Sequence, residues 1–265
     1  MNLAPSVFYD DQQKHLNVWW QGTLFLSVFF TLSALLYLFD QRLLADEVLW
    51  AKPAKFGIAF IIHFITLAVL ASLLSPARRH GVAWKAMSYA VVAAGVFEMM
   101  YIFLQAVRGR ESHFNDGTPV EHIMYGLMGL GAVILVSGSF YLGYLLFREY
   151  KPERNKPILF ASALGLTAGS VLTLIIGGYM SSQLDNVIIT SSETLRAPIV
   201  GWYLNGQDLR IPHFFSTHMM QLLPLYGLWL SQKKGAISGL YETRLLWITG
   251  IASLLMIVLF FLSVY

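Results

Sequence analysis

Residues 82–107 read VAWKAMSYAVVAAGVFEMMYIFLQAV, with one lysine near the start and one carboxylate, Glu98, further in. About 20 apolar residues cross the hydrocarbon of a bilayer as a helix. This stretch is long enough to cross, and too apolar to lie on the surface of a soluble domain. Six more stretches have the same character: 18–39, 54–75, 119–147, 157–182, 212–231 and 244–265. The expected fold is therefore all-α: an integral membrane bundle of about seven transmembrane helices, forming a single domain over 1–265. Composition agrees, since the chain is 56% hydrophobic and only 12% charged, about half the charge of an ordinary soluble domain.

The start, MNLAPSVFYDDQQKHLN, lacks the basic opening and short apolar core of a cleaved signal. The first apolar run is thus expected to stay as a helix. All seven tryptophans fall near segment ends, as in the aromatic belts at the two interfaces. Eleven of the eighteen Lys and Arg residues lie on one side of the expected bundle, among them Lys14, Arg78, Arg79, Arg154, Lys233 and Lys234. That side is expected to be cytoplasmic. This places the chain in a bacterial inner membrane with its N-terminus inside and its C-terminus outside. The longest connection, 183–211, lies on the outer side and contains Asn205-Gly206, a hairpin-turn signal. It reads as a small β-hairpin, either a lid over the helix ends or a plain surface loop.

Polar residues collect at the outer mouths. In the second segment, Lys52, Lys55, Ala59, His63 and Thr66 form one helical stripe, with His63 about 12 Å deeper than Lys55. In the third, Glu98 and Gln105 are seven apart and share a face that Arg108 continues. An unpaired carboxylate at mid-bilayer is costly, so Glu98 carries a proton, is paired, or binds something. Thr118-Pro119-Val120-Glu121 is a capping box with proline at the first helical position. His122 follows, with Gly126 and Gly129 below it on one face. Gly165 and Gly169 form a GxxxG packing pair. In the sixth segment His213 and His218 are five apart, about 140° around the helix, so they serve different roles. Pro224 is expected to kink that helix. Lys55, His63, Glu98, Gln105, Arg108, His122 and His218 are expected to converge on one outer cavity.

Several classes are excluded. The last segment has no lysine for a retinal Schiff base, and the chain has no HExxH zinc motif, phosphate-binding glycine loop or arginine series. With no cysteine, there are no disulfides, thiolate metal sites or covalent haem. Nothing points to nucleic acid. The segments WAKPAKFGIAF, LQAVRGRESHFNDGTP and LRIPHFFSTHMMQLLPL carry KPxKF, QAxRGxxSHFN and PHFxxxHxxQxLPL motifs. They resemble a family of bacterial polytopic membrane proteins of no established activity. The resemblance implies that these three outer segments belong together, and names no substrate.

Three functions fit these residues. The first is a membrane haem b protein with an oxidoreductase or electron-transfer role at the outer face, exchanging electrons with quinone. Its axial ligands would be His63 and His218, with His122 as a substitute. Lys52, Lys55, Arg108 and Arg210 would meet the propionates, and Asn115 of the same outer loops belongs to that cofactor set. The second is a metal-dependent enzyme acting on a lipid substrate, with zinc or copper held by three of His63, His122, His213 and His218. There Glu98 and Gln105 would be the catalytic pair, and the cations would hold a headgroup. The third is a transporter or sensor whose pocket takes an anionic ligand.

Overall fold

A computed structural model describes residues 17–44, 47–115, 117–152, 156–183, 195, 197, 200–204, 207–232 and 240–265. Lys14, Arg154, Arg196, Lys233 and Lys234 of the charge split lie outside these residues, as does the expected Asn205-Gly206 turn. The helices are α1 (Asn17–Phe39), α2 (Ala51–Ala71), a single turn α3 (Pro76–Arg79), α4 (Val82–Val107), α5 (Pro119–Glu149), α6 (Pro157–Ser182), α7 (Arg210–Gln232) and α8 (Leu240–Val264). Six of them, all but α3 and α7, are long and apolar enough to cross a membrane. α7 has the length, at 23 residues, but carries Arg210, His213, His218 and Gln221. The protein is thus an all-α, multi-pass membrane protein.

Its helices form two compact units, Met1–Ser112 and His113–Tyr265. In the first, α1, α2 and α4 alternate in direction. Trp19 stacks on Trp84 at 6.1 Å and meets the edge of Phe64 at 5.6 Å, tying together the start of α1, the second half of α2 and the start of α4. A Cβ on Gly22 would lie 2.8 Å from Val92 Cγ1, so α1 and α4 approach closely there. At the other end Leu49, Trp50 and Ala106 form a cluster with Leu36, Leu44 and Phe103. Three of the tryptophans expected at the lipid interfaces, Trp19, Trp50 and Trp84, are therefore packed inside this unit. Between α1 and α2 the chain makes a two-rung antiparallel ladder of β1 (Leu43–Leu44) with β2 (Glu47–Val48). This hairpin is too short to show in the alternation of apolar residues.

The second unit is an up-down arrangement of α5, α6, α7 and α8. One end is closed by Tyr150, whose hydroxyl bonds Tyr241 at 2.9 Å and also Glu242. Burial, then the Glu242 contact, push that phenol above its ordinary range. The opposite end joins α5 to α6 through Tyr125 and Ser181 at 2.8 Å, and α8 to the start of α7 through Ser263 and the Asp208 carbonyl at 3.5 Å. Thr118 caps α5 by accepting from the Glu121 N–H at 3.2 Å, and Glu121 returns to the Thr118 hydroxyl at 2.9 Å.

The α6–α7 seam depends on glycine. A Cβ on Gly165 would lie 2.7 Å from the Met219 carbonyl oxygen and 3.1 Å from Pro224 Cδ. One on Gly169 would lie 2.8 Å from Met220 Cγ, and one on Gly227 only 2.4 Å from Ala161 Cβ. The GxxxG pair is thus a packing device, while α7 runs continuously through Pro224. Gly126 and Gly129 differ: nothing lies within 4 Å of where their Cβ atoms would be. We predict that Gly165→Ala lowers unfolding stability in detergent by about 1–3 kcal/mol, whereas Gly126→Ala stays within about 0.5 kcal/mol of the native protein. Equal effects at the two sites would contradict this packing.

Candidate functional site

The end of α4 builds the densest polar group of the first unit. Arg108 caps the helix and Gly109 follows at φ +64°. The Gly109 N–H donates to the Ala106 carbonyl at 3.0 Å, and the Arg110 N–H to the Gln105 carbonyl at 2.9 Å. These are the two bonds of a Schellman motif, which glycine adopts without steric cost. The reversal brings the Glu111 carbonyl over the helix end. Gln105, fully buried, then donates its amide to that carbonyl at 3.1 Å and to the Tyr101 hydroxyl at 3.1 Å, and accepts from Arg108 at 3.0 Å. Its amide is committed on both sides, so it positions neighbours and is not a spare catalytic group.

Glu98 lies two turns deeper, nine residues from the end of α4, about 14 Å along the axis. It is only 3% exposed, and its Oε1 has no hydrogen-bond partner. Tyr101 is one turn above on the same side, at a spacing where side chains are neighbours. The face read from the sequence as Glu98, Gln105 and Arg108 is therefore a polar line, bonded from Tyr101 outward, with Tyr101 and Glu111 as members that reading missed. Tyr101 was detectable as the i−4 neighbour of Gln105. Glu111 was not, because only the Schellman reversal returns it.

The rim of this end is a mixed-charge ring. Lys55 pairs with Glu47 at 2.8 Å. Arg42 pairs with Asp40 at 2.7 Å, and the Trp50 indole N–H donates to Asp40 at 2.8 Å. Together Arg42 and Trp50 hold the Asp40 carboxyl well below the usual carboxylate range. Lys52 has Glu111 as its principal opposite charge, with Lys55 and Glu47 as further neighbours. His63 is half-buried. The buried residues of α2 are Pro53, Gly57, Phe64, Leu67, Ala68, Leu70 and Ala71. At 100° per residue most of them lie on a face other than the Lys52–His63–Thr66 stripe, while Leu70 continues that stripe.

In the second unit Arg210 is occupied. Its guanidinium grips Asp208 through Nε at 2.9 Å and Nη2 at 2.6 Å, donates to the Gly201 carbonyl at 2.9 Å, and lies over the Tyr203 ring. Asp208 also accepts from the Tyr203 N–H at 2.9 Å. Arg210 thus clasps the preceding loop to α7. Within that loop, Leu204 N–H donates to the Leu195 carbonyl and Ala197 N–H to the Trp202 carbonyl, each at 2.8 Å, so the chain reverses across Gly201.

Of the histidines, His122 is exposed on the first turn of α5. His213 lies against Gly177, where a Cβ would come within 3.1 Å of its ring, and its buried Nδ1 has no partner. His218 packs against Phe214 with ring centroids 4.1 Å apart and planes tilted by 56°, and Gln221 neighbours its ring. In the loop before α5, the Asn115 side chain accepts from the Gly117 N–H at 3.4 Å, and Phe114 takes a left-handed φ of 57°. Among the described residues, no three histidine, aspartate or glutamate side chains gather closely enough to hold a metal ion. The residues expected in one cavity divide between the units: Lys55, His63, Glu98, Gln105 and Arg108 in the first, His122 and His218 in the second.

Compared with known proteins, the chain matches no protein-family profile, no curated protein and no solved structure. The Gln105 group gives a direct expectation. Replacing Gln105 with Leu keeps the volume but removes its bonds to Tyr101, the Glu111 carbonyl and Arg108. Of these three residues Tyr101 is buried while Glu111 and Arg108 are exposed. A buried group that loses its partner costs about 1–3 kcal/mol, so stability to unfolding in detergent should fall by about that much. An unchanged midpoint would show that the amide is not structural.

Proposed function

We propose that this is a seven-span bacterial inner-membrane protein that binds a small anionic ligand from the outer face, in the manner of a transporter or sensor. Glu98 is the ionisable group whose proton balances the ligand's charge. The observation that carries this reading is Glu98 itself, a carboxyl 3% exposed with an oxygen lacking any hydrogen bond, at the inner end of a polar line. Ionisable groups placed within a membrane span mark ligand and proton pathways. Lys52 at the rim supplies the cation that meets the anion. Support for α7 as the seventh crossing comes from its seam with α6, which runs from Gly177 at one end to Gly227 against Ile158 at the other. The outward direction of the polar end follows the unequal placement of Lys and Arg.

A hydrophobic carbodiimide tests this without a known ligand. It enters from the lipid, takes the proton of a carboxylic acid on its nitrogen and the carboxyl oxygen on its central carbon, and rearranges to a stable N-acylurea. We expect mass spectrometry to find the adduct on Glu98 in the native protein and none at that position in Glu98→Gln. Asp40, held ionised by Arg42, stays unmodified. A native Glu98 that remains unlabelled under conditions that label an added lipid-soluble carboxylic acid overturns the reading.

The haem reading is a second proposal, favoured by one observation: the His218 ring packs against Phe214, with centroids 4.1 Å apart and the planes tilted by 56°. With His218 as an axial ligand it would make an electron-transfer protein acting with quinone. A Soret band from protein purified with haem supplied, lost in His218→Ala, is its expected result; no band in the native protein dismisses it.

A further inference from the structure

We infer that Glu98 communicates with water at one membrane surface only, the polar end where α4 finishes, so that the first unit is a half-channel for a proton and not a path through the membrane. The inference rests on the reading of Glu98 as the ionisable group and adds the direction of its access.

Above Glu98, polar groups resume one turn on, at Tyr101. Tyr101, Gln105, Arg108 and the Glu111 carbonyl are linked by bonds of 3.0–3.1 Å, and the line ends among Lys52, Lys55 and Glu47. A hydroxyl and an amide that already exchange hydrogen bonds can pass or orient a proton with small rotations. The route is short, about 14 Å.

Below Glu98 the unit changes character. Val91, Phe64, Leu67, Trp19 and Trp84 are each no more than 1% exposed. Gly22 sits so close to Val92 that even a methyl group would collide, at 2.8 Å, and to Phe64 at 3.0 Å. The Trp19–Trp84 stack closes the far end. Hydroxyls occur there, but each is turned onto a carbonyl of its own helix. Thr23 donates to Trp19 at 2.8 Å, Ser27 to Thr23 at 2.8 Å, Ser88 to Trp84 at 2.8 Å and Thr66 to Ile62 at 2.8 Å. A hydroxyl bonded one turn back on its own helix links nothing between helices. α1 contributes no Asp, Glu, Lys, Arg or His across residues 18–39, and α2 contributes Lys52, Lys55 and His63. From Lys85 to Glu98, α4 has no other acidic or basic side chain. Close packing of this kind, without voids, passes neither water nor ions.

The native chain has no cysteine, so a single introduced thiol reports its own access to water. We would place Glu98→Cys, Arg108→Cys and Val92→Cys proteins in vesicles of known orientation. A membrane-impermeant cationic methanethiosulfonate is then added to one side at a time. It reacts with a thiolate, which forms only where water reaches the thiol. The expected result is modification of Glu98→Cys from the polar-end surface at least about tenfold faster than from the other. Arg108→Cys should react faster still from that same surface, and Val92→Cys from neither. Should Glu98→Cys not fold, Tyr101→Cys, one turn above, carries the test. Equal reaction from both surfaces, faster reaction from the far surface, or no reaction while Arg108→Cys reacts would each overturn the inference. The carbodiimide experiment asks whether Glu98 bears a proton, and this one asks where access begins, so either can fail alone.

Discussion

The buried side-chain amide of Gln105 holds the polar end of the first unit together. Its two N–H groups donate to Tyr101 and the Glu111 backbone, and its carbonyl accepts from Arg108. Removing it would unmake three contacts and release the reversal that carries Glu111 back toward Lys52. A buried polar network specifies geometry only when every member is satisfied. Gln105 is bonded on both sides of its amide, whereas two turns deeper the Oε1 of Glu98 is buried without a partner.

The two units solve the same problem with different chemistry. The first is tied by aromatic contacts, with Trp19, Phe64 and Trp84 at one end and Trp50 and Phe103 at the other. The second relies on small residues along the α6–α7 seam, where Gly165, Gly169 and Gly227 let backbones meet. In lipid, close van der Waals contact replaces the hydrophobic drive between helices, so glycine there supports stability. The Asp208–Arg210 clasp fixes the loop that enters α7. The guanidinium has a bidentate carboxylate, a carbonyl and a ring around it.

How far the sequence could be read depended on the range of each signal. Apolar runs of spanning length are local, and they marked every long helix. The spacing of Glu98, Gln105 and Arg108 is also local, and their shared face is the polar line. Thr118-Pro119 marked the start of α5 for the same reason, and Gly165 and Gly169 read correctly as packing. Long-range pairing was invisible. Nothing in Leu43–Val48 announces a hairpin, because two rungs are shorter than any period. Trp19 and Trp84 are distant in sequence and look like interface anchors until they stack. Gly126 and Gly129 lie beneath His122, and among the described residues nothing comes within 4 Å of where their Cβ atoms would be. Arg210 looked like a cation for a cofactor because its partner, Asp208, was two residues away and could as well have pointed outward.

The central claim is that Glu98 is held as a carboxylic acid inside the first unit, ready to exchange its proton. Infrared spectroscopy of the reconstituted protein measures that state directly, since an acid carbonyl and an ionised carboxylate absorb in separate regions. The account predicts an acid carbonyl band at neutral pH in the native protein that disappears in Glu98→Gln and shifts when the polar-end surface is bathed in heavy water. Identical acid-region spectra for the native and Glu98→Gln proteins would contradict it.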